Sequence, residues 1–274
     1  MKISEIISTI LIAMSLAANA QEREQLTVPL SDPAKESKLN ISIVTGSIKV
    51  IGTTGKEIVI DAVVAKDDED KHNKGGEKEG MKRLNLGNAG FEITAKEINN
   101  VVKVGIDKPN LNVNFTVKVP HKTSLKLSTV NNGDINVENI NGNLEISNVN
   151  GDIRLKNIAG TVSANTINGE IIVNFTEVTA NSAMAFSNLN GKVDVTFPPT
   201  YKANVKVKTD RGDVYSDFDI DIDKSSSKII QTADKEKGTY KLKKDDWTYG
   251  KINGGGAEMM MKSMNGNIYI RKIK

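Results

Sequence analysis

His72 and His121 are the only imidazoles in the chain, and there is no Cys. His72 sits in a charged run and His121 follows Pro120, with no His-x-x-x-His or Cys spacing that would hold zinc. Both read as surface histidines. No Gly-x-Ser-x-Gly elbow, phosphate loop or dinucleotide fingerprint occurs. Carboxylates offer more. Asp134, Asp152 and Glu170 recur 18 residues apart, so stacking could bring them about 5 Å from one another with a cation between. Asn143 and Thr161 interrupt the series at the intervening positions, and the Gly-Gly-x-Gly-x-Asp of calcium nonapeptides is missing. Asp and Asn also simply suit turns, which is the preferred reading. Asp217, Asp219, Asp221 and Asp223 alternate with Phe218, Ile220 and Ile222. That row reads as the solvated face of a strand guarded by charge against edge pairing. Arg211-Gly212-Asp213 spells an integrin tripeptide, but Gly212 falls where a repeat glycine belongs. The tripeptide reads as a corner with Arg in place of Asn. No catalytic residue, metal ligand or cofactor-binding residue emerges, and no cofactor is expected.

These residues must be positioned by a repeat. Gly133, Gly142, Gly151, Gly160 and Gly169 stand nine apart, four of them preceded by Asn. Counting from each Gly, the second position is Ile135, Leu144, Ile153, Val162 and Ile171. The fourth is Val137, Ile146, Leu155, Ala164 and Val173. The seventh is Ile140, Val149, Ile158 and Ile167. All three columns are apolar. The first two keep the period of two of a half-buried strand. The step of three to the last column demands a bend, at Asn139, Asn148, Asn157 and Thr166. An antiparallel meander with Asn-Gly hairpins would keep strict alternation between turns, and this pattern does not. The repeat therefore predicts a parallel β-solenoid in which Asn side chains stack up the corner. Three buried aliphatic side chains stabilise a unit by roughly 5–9 kcal/mol, while ordering nine residues costs roughly 9–18 kcal/mol. One unit cannot fold alone, so the array must fold together. The 18-residue acidic period predicts about two units per coil, with three per triangular coil as the alternative. Gly191 and Gly212 lie 22 and 21 residues further on, which predicts later coils with longer sides.

Fragments of the unit recur at Val44–Val50, Leu189–Val195 and Met264–Ile270, so the repeat brackets one continuous all-β body over residues 21–274. Lys66 to Arg83 breaks it: twelve of its eighteen residues are charged. This predicts an exposed insertion, residues 66–83, with a short helix near Glu77 to Leu86. The Lys- and Gly-rich part from Lys235 to Gly256, with the terminal strand, could cover one solenoid end. Residues 1–20 read as a secretory signal peptide: Lys2, an apolar stretch from Ile6 to Leu16, and Ala18-Asn19-Ala20 before Gln21. The stretch is too short to span a bilayer. A chain without Cys cannot carry lipid on one, so an exported protein that is not a lipoprotein is expected, in the periplasm or at the cell surface. A net charge of +3 argues against nucleic acid and gives no membrane patch.

The Asn-Gly-Asp-Ile units, the opening Gly46-Ser-Ile-Lys-Val, Val119-Pro120 before Ser124-Leu-Lys-Leu-Ser-Thr-Val, and the close from Ile252-Asn253-Gly254-Gly255-Gly256 to Asn265-Gly266-Asn267-Ile268-Tyr269-Ile270 resemble one bacterial family. Its members are exported β-strand-repeat proteins called adhesins from their shape, in the style of the head domains called GIN. The resemblance covers residue 39 to the end. It implies a parallel β-solenoid at the cell envelope and brings no catalytic residues. The expected function is a non-enzymatic binding or structural module. A periplasmic partner of an envelope sensing or regulatory system is the alternative, and a polysaccharide-active enzyme a distant third. With one Trp, five Tyr and six Phe scattered along the chain, sugar platforms and paired carboxylates do not stand out. The expected binding surface is a flat flank bearing Asn136, Glu145, Arg154 and Ser163. An extended polysaccharide or an envelope protein would be its partner.

Overall fold

The computed structural model describes residues 23–65, 91–223, 229–234, 239–244 and 246–274. The signal peptide over 1–20, the insertion over 66–83 with its helix, and His72 lie outside the described residues, as does part of the segment from Lys235 to Gly256. The described part is all-β, and nearly all of it is one 20-stranded sheet folded into a coil. One ribbon of strands runs β1 (Arg23–Pro29), β4 (Glu57–Val64), β7 (Val113–Pro120), β3 (Ile48–Thr53), β9 (Ile135–Glu138), β11 (Ile153–Asn168), β12 (Ile171–Val178), β14 (Val193–Phe197), β22 (Ile268–Lys272) and β16 (Val214–Ser216). The other runs β5 (Ile93–Ile98), β6 (Val101–Ile106), β2 (Ser37–Ser42), β8 (Thr123–Thr129), β10 (Asn141–Asn148), β11 again, β13 (Met184–Asn190), β21 (Glu258–Asn265), β15 (Ala203–Arg211), β20 (Thr248–Ile252) and β17 (Ile220–Ile222). β18 (Ile229–Asp234) and β19 (Thr239–Lys244) pair antiparallel with each other, apart from the sheet.

β11 joins the ribbons because it passes through both, bending where its register shifts between Leu155 and Ile158. In the central array the pairing is parallel with a step of 18 residues: Ile135 opposite Ile153, Gly142 opposite Gly160, Ile153 opposite Ile171. Alternation along each strand then turns one apolar row per pleat inward from each ribbon. Ile48, Ile135, Ile153 and Ile171 face inward from one, Leu125, Leu144 and Val162 from the other, all buried.

Pairing is not parallel throughout. β1–β4, β4–β7 and β5–β6 at one end of the stack, and β15–β20 and β17–β20 at the other, are antiparallel. Of these pairs only β5 and β6 are joined by a tight turn, which permits no other direction; the other four bring together strands distant in the chain. Between β5 and β6 the turn is Asn99-Asn100, both with left-handed φ (51° and 63°), the geometry of a two-residue hairpin loop.

The bends are of two kinds, and this corrects the third apolar column. Asn139 and Asn157 take left-handed φ (61° and 55°), which Asn tolerates better than most residues, and Ile140 and Ile158 after them are buried. At the other bend it is the polar Asn148 and Thr166 that point inward, 1% and 4% exposed. Val149 is therefore half-buried, and Ile167 is 44% exposed. The inward polar groups hold backbone carbonyls of the glycine corner. Asn148 Nδ2 donates to Gly133 O at 2.9 Å, Thr166 Oγ1 to Gly151 O at 3.1 Å and Thr129 Oγ1 to Gly46 O at 2.9 Å. Close stacking there explains the glycines: a Cβ on Gly151 would lie 2.1 Å from Gly133 O. Outside the same corner, Asn side chains form a ladder in which Asn150, Asn168, Asn190 and Asn265 each donate to the one before, starting from Asn131.

The order of coils departs from chain order. β2 and β3 lie between β6/β7 and β8/β9. β21 and β22 lie between β13/β14 and β15/β16. Gly191 is thus followed in the stack by Gly266 and only then by Gly212. The 22-residue spacing before Gly191 reflects a turn around Ala180–Asn181, and the terminal strand is an internal layer instead of a cover.

Candidate binding faces

The outward position three residues after each repeat glycine carries the expected binding residues, and the structure divides them. Asn136 and Arg154 pair across β9 and β11 on the outside of one ribbon, in register with Lys49 of β3. Glu145 and Ser163 pair across β10 and β11 on the outside of the other, in register with Lys126 of β8. Successive glycines belong to opposite corners, so a nine-residue count superimposes two faces that an 18-residue coil separates. The structure brings these residues together two by two.

The Arg154 face is electrostatically closed. Arg154 reaches Asp134 at 3.2 Å and Asp152 at 2.5 Å. The acidic series is used within the backbone: Asp134 Oδ1 accepts from Asp152 N at 2.9 Å and Asp152 Oδ1 from Glu170 N at 2.7 Å. Lys192 pairs with Glu170 at 3.4 Å. Asp134 and Asp152 therefore each cap the coil above, as the turn reading expects, and all three carboxylates have a cationic side chain beside them. Among the described residues no group of three His, Cys, Asp or Glu is placed to hold a metal ion. The Asp213 N–H is capped the same way by Asn267 Oδ1 at 2.9 Å. Arg211 stands opposite Asn265 at the end of the Asn ladder, which makes the Arg-Gly-Asp a repeat corner. His121 also serves a corner, its Nδ1 2.8 Å from Asn139 O.

The Glu145 face is more open. A groove of about 680 Å³ runs over it, lined by Asn40, Lys103, Lys126, Glu145, Ser163 and Asn165 among others. Lys126 hydrogen-bonds Glu145 at 2.8 Å and holds its carboxyl below the usual range. Ser147 donates to Asn165 at 3.0 Å. Asn40 Oδ1, also along this groove, is buried and has no hydrogen-bond partner among the described residues. Asn40, Lys103 and Lys126 escaped the sequence reading because β2, β6 and β8 lie outside the regular array. Nothing local in the sequence says that they line up beside Glu145.

A second group missed by sequence is the exposed stack of Tyr215 on Tyr269, centroids 5.1 Å apart. Arg271 lies over the Tyr269 ring at 4.8 Å and is held by Asp194 at 2.6 and 3.0 Å. The signal was present: Tyr269, Tyr215 and Asp194 each stand three residues after Gly266, Gly212 and Gly191.

The family model described as Toastrack DUF4097 matches residues 12–271. No curated protein matches the chain in sequence. Among solved structures, the chain is similar to a "putative cell adhesion protein" from Clostridium sporogenes, at 13% identity over 93% of this chain and 100% of that one, with a TM-score of 0.52. That similarity shows a shared fold. A "putative adhesin" from Bacteroides fragilis aligns at 15% identity over 93% and 98%, with a TM-score of 0.32.

Proposed function

The chain belongs to the Toastrack DUF4097 family, and from that premise we propose a non-enzymatic, adhesin-like binding module exported to the bacterial envelope. In this reading residues 1–20 are a signal peptide and residues 21–274 form one β-solenoid with two nine-residue units per central coil, carrying the charged insertion over 66–83. The 18-residue parallel register supports the solenoid reading. The name of the Clostridium relative supports the adhesive one. The observation that carries the binding reading is the groove over Glu145 and Ser163, lined also by Asn40, Lys103 and Lys126. A row of hydroxyl, amide and paired charged groups repeating every strand, about 4.8 Å apart, matches a polymer of hydroxyls and amides. Affinity then comes from many similar contacts. The polymer is an envelope or surface polysaccharide.

The test is binding of purified protein to immobilised bacterial polysaccharides, with product release followed in parallel. Saturable retention that falls in Glu145→Ala and Asn40→Leu, with no release of shorter sugars, is expected. Turnover of the polysaccharide, or retention unaffected by both changes, would refute the proposal.

A further inference from the structure

Among the described residues, both ribbons finish at each end of the stack in a strand with one unpaired edge: β1 and β5 at one end, β16 and β17 at the other. Three of these edges carry features that oppose further pairing. β1 ends at Pro29, β5 holds Lys96 and Glu97, and β17 has Asp219 before it and Asp221 within it. β16 is different. It reads Val214-Tyr215-Ser216, with no charge and no proline, and Val214 and Tyr215 are 40% and 48% exposed.

The open edge of β16 is equipped for a strand. Ile268 N donates to Asp213 O, and Asp217 N donates to Ile270 O. Alternation in a parallel ladder then turns the N–H and C=O groups of Val214 and Ser216 to the vacant side. Behind the inner face lies an apolar cavity of about 240 Å³ lined by Val205, Val207, Phe218, Ile220 and Ile222. On the outer face Tyr215 is the last ring of the stack with Tyr269. The rim is acidic on both sides, with Asp213 and Asp217 flanking β16 and Asp219 and Asp221 along β17. Two nearby cations are engaged: Arg271 by Asp194, and Lys272 over the Phe218 ring at 4.9 Å.

We propose that β16 is a docking edge for an extended, basic peptide of a partner protein, which adds to the sheet as one further strand. Main-chain hydrogen bonds to Val214 and Ser216 supply the pairing. Alternate apolar side chains enter the cavity, an aromatic side chain continues the tyrosine stack, and lysine or arginine meets the aspartate rim. Two copies of β16 laid edge to edge would oppose Asp213 and Asp217 to the same residues, so the rim disfavours a second copy. The site is at the far end from the groove and stands independently of it.

The probes are two labelled, end-blocked peptides, Lys-Val-Tyr-Val-Lys and Glu-Val-Tyr-Val-Glu, followed by fluorescence anisotropy with the full chain. Saturable binding of the basic peptide alone is expected, with affinity at least about tenfold weaker in Val214→Pro and unchanged in Arg154→Ala. Proline removes the outward N–H of position 214 and leaves the bonds to β22 in place. If Val214→Pro does not fold, amide exchange in the unaltered protein decides, with slowing at Val214 and Ser216 on adding the basic peptide expected. No binding, equal binding of both peptides, binding untouched by Val214→Pro, or unslowed exchange would overturn the proposal. So would a dimer in sedimentation that Val214→Pro disperses.

Discussion

Replacing Asn148 by Leu should cost far more stability than replacing Asn150 by Ala, although both are repeat asparagines two residues apart. Asn148 is 1% exposed; its Nδ2 donates to Gly133 O at 2.9 Å, and its Oδ1 accepts from Val149 N at 2.7 Å. Leu shares the branched skeleton of Asn but is bulkier, and it leaves a carbonyl and an N–H without these partners. Each orphaned buried group costs about 1–3 kcal/mol, against a gain of about 1 kcal/mol from the added apolar surface. The net expectation is a loss of about 3 kcal/mol. Asn150 lies on the surface of the same corner, in the ladder between Asn131 and Asn168. Water can replace both bonds, so Asn150→Ala should cost under about 1 kcal/mol. Urea unfolding followed by far-ultraviolet circular dichroism measures the difference. With a slope of about 3 kcal/mol/M, Asn148→Leu should lower the midpoint by about 1 M. Equal midpoints for the two variants, or a stabilised Asn148→Leu, would show that the inward amide is not what holds the glycine corner.

Other outcomes follow from the same geometry. Ile153→Asp should destabilise the protein by several kcal/mol through an unpaired buried charge, whereas Glu145→Lys, on an exposed position, should leave thermal melting nearly unchanged. Gly151→Ala should fail to reach wild-type stability, because its Cβ would sit 2.1 Å from Gly133 O; a wild-type melt would contradict the close stacking. Tyr201 is stacked on Phe197 at 4.2 Å, and burial raises its phenol above the ordinary range. The unfolded chain then loses this proton first, so the stability tied to Tyr201 is intact below about pH 10 and declines above it. In Tyr201→Phe the alkaline decline should be shallower, read from urea midpoints across that range. Amino-terminal sequencing of the exported protein should begin at Gln21, and an intact Met1 would contradict the signal-peptide reading.

The first two apolar columns were legible because a strand's alternation is local: Ile135, Val137, Leu144 and Ile146 needed only their neighbours to be placed inside. Stacked asparagines and glycine corners were legible for the same reason, since an 18-residue coil returns each side chain above its equivalent. The third column was legible only in part. Ile140 and Ile167 look alike in sequence, but one follows a left-handed Asn and goes inward. The other follows Thr166, whose hydroxyl already occupies the interior. The antiparallel ends were hidden, because four of their five pairs join strands distant in the chain, such as β4 with β7 and β15 with β20. So was the division of Arg154 from Glu145, because two corners with the same glycine spacing face opposite ways. The groove was least visible of all. It depends on Asn40 and Lys126 meeting across two strands separated by 86 residues in the chain, a separation on which no periodicity reports.

The placement of β21 and β22 has a consequence for synthesis. A nascent chain stopped before residue 258 does not make a shorter stack; it makes one with a missing middle layer, because β21 and β22 are what join β15 and β16 to β13 and β14. The bonds that join β13 to β21 and β14 to β22 can form only after residues 258–272 have been made. Such non-local pairing is slow to establish. The stack can therefore close over β13 and β14 only once β21 and β22 have been made.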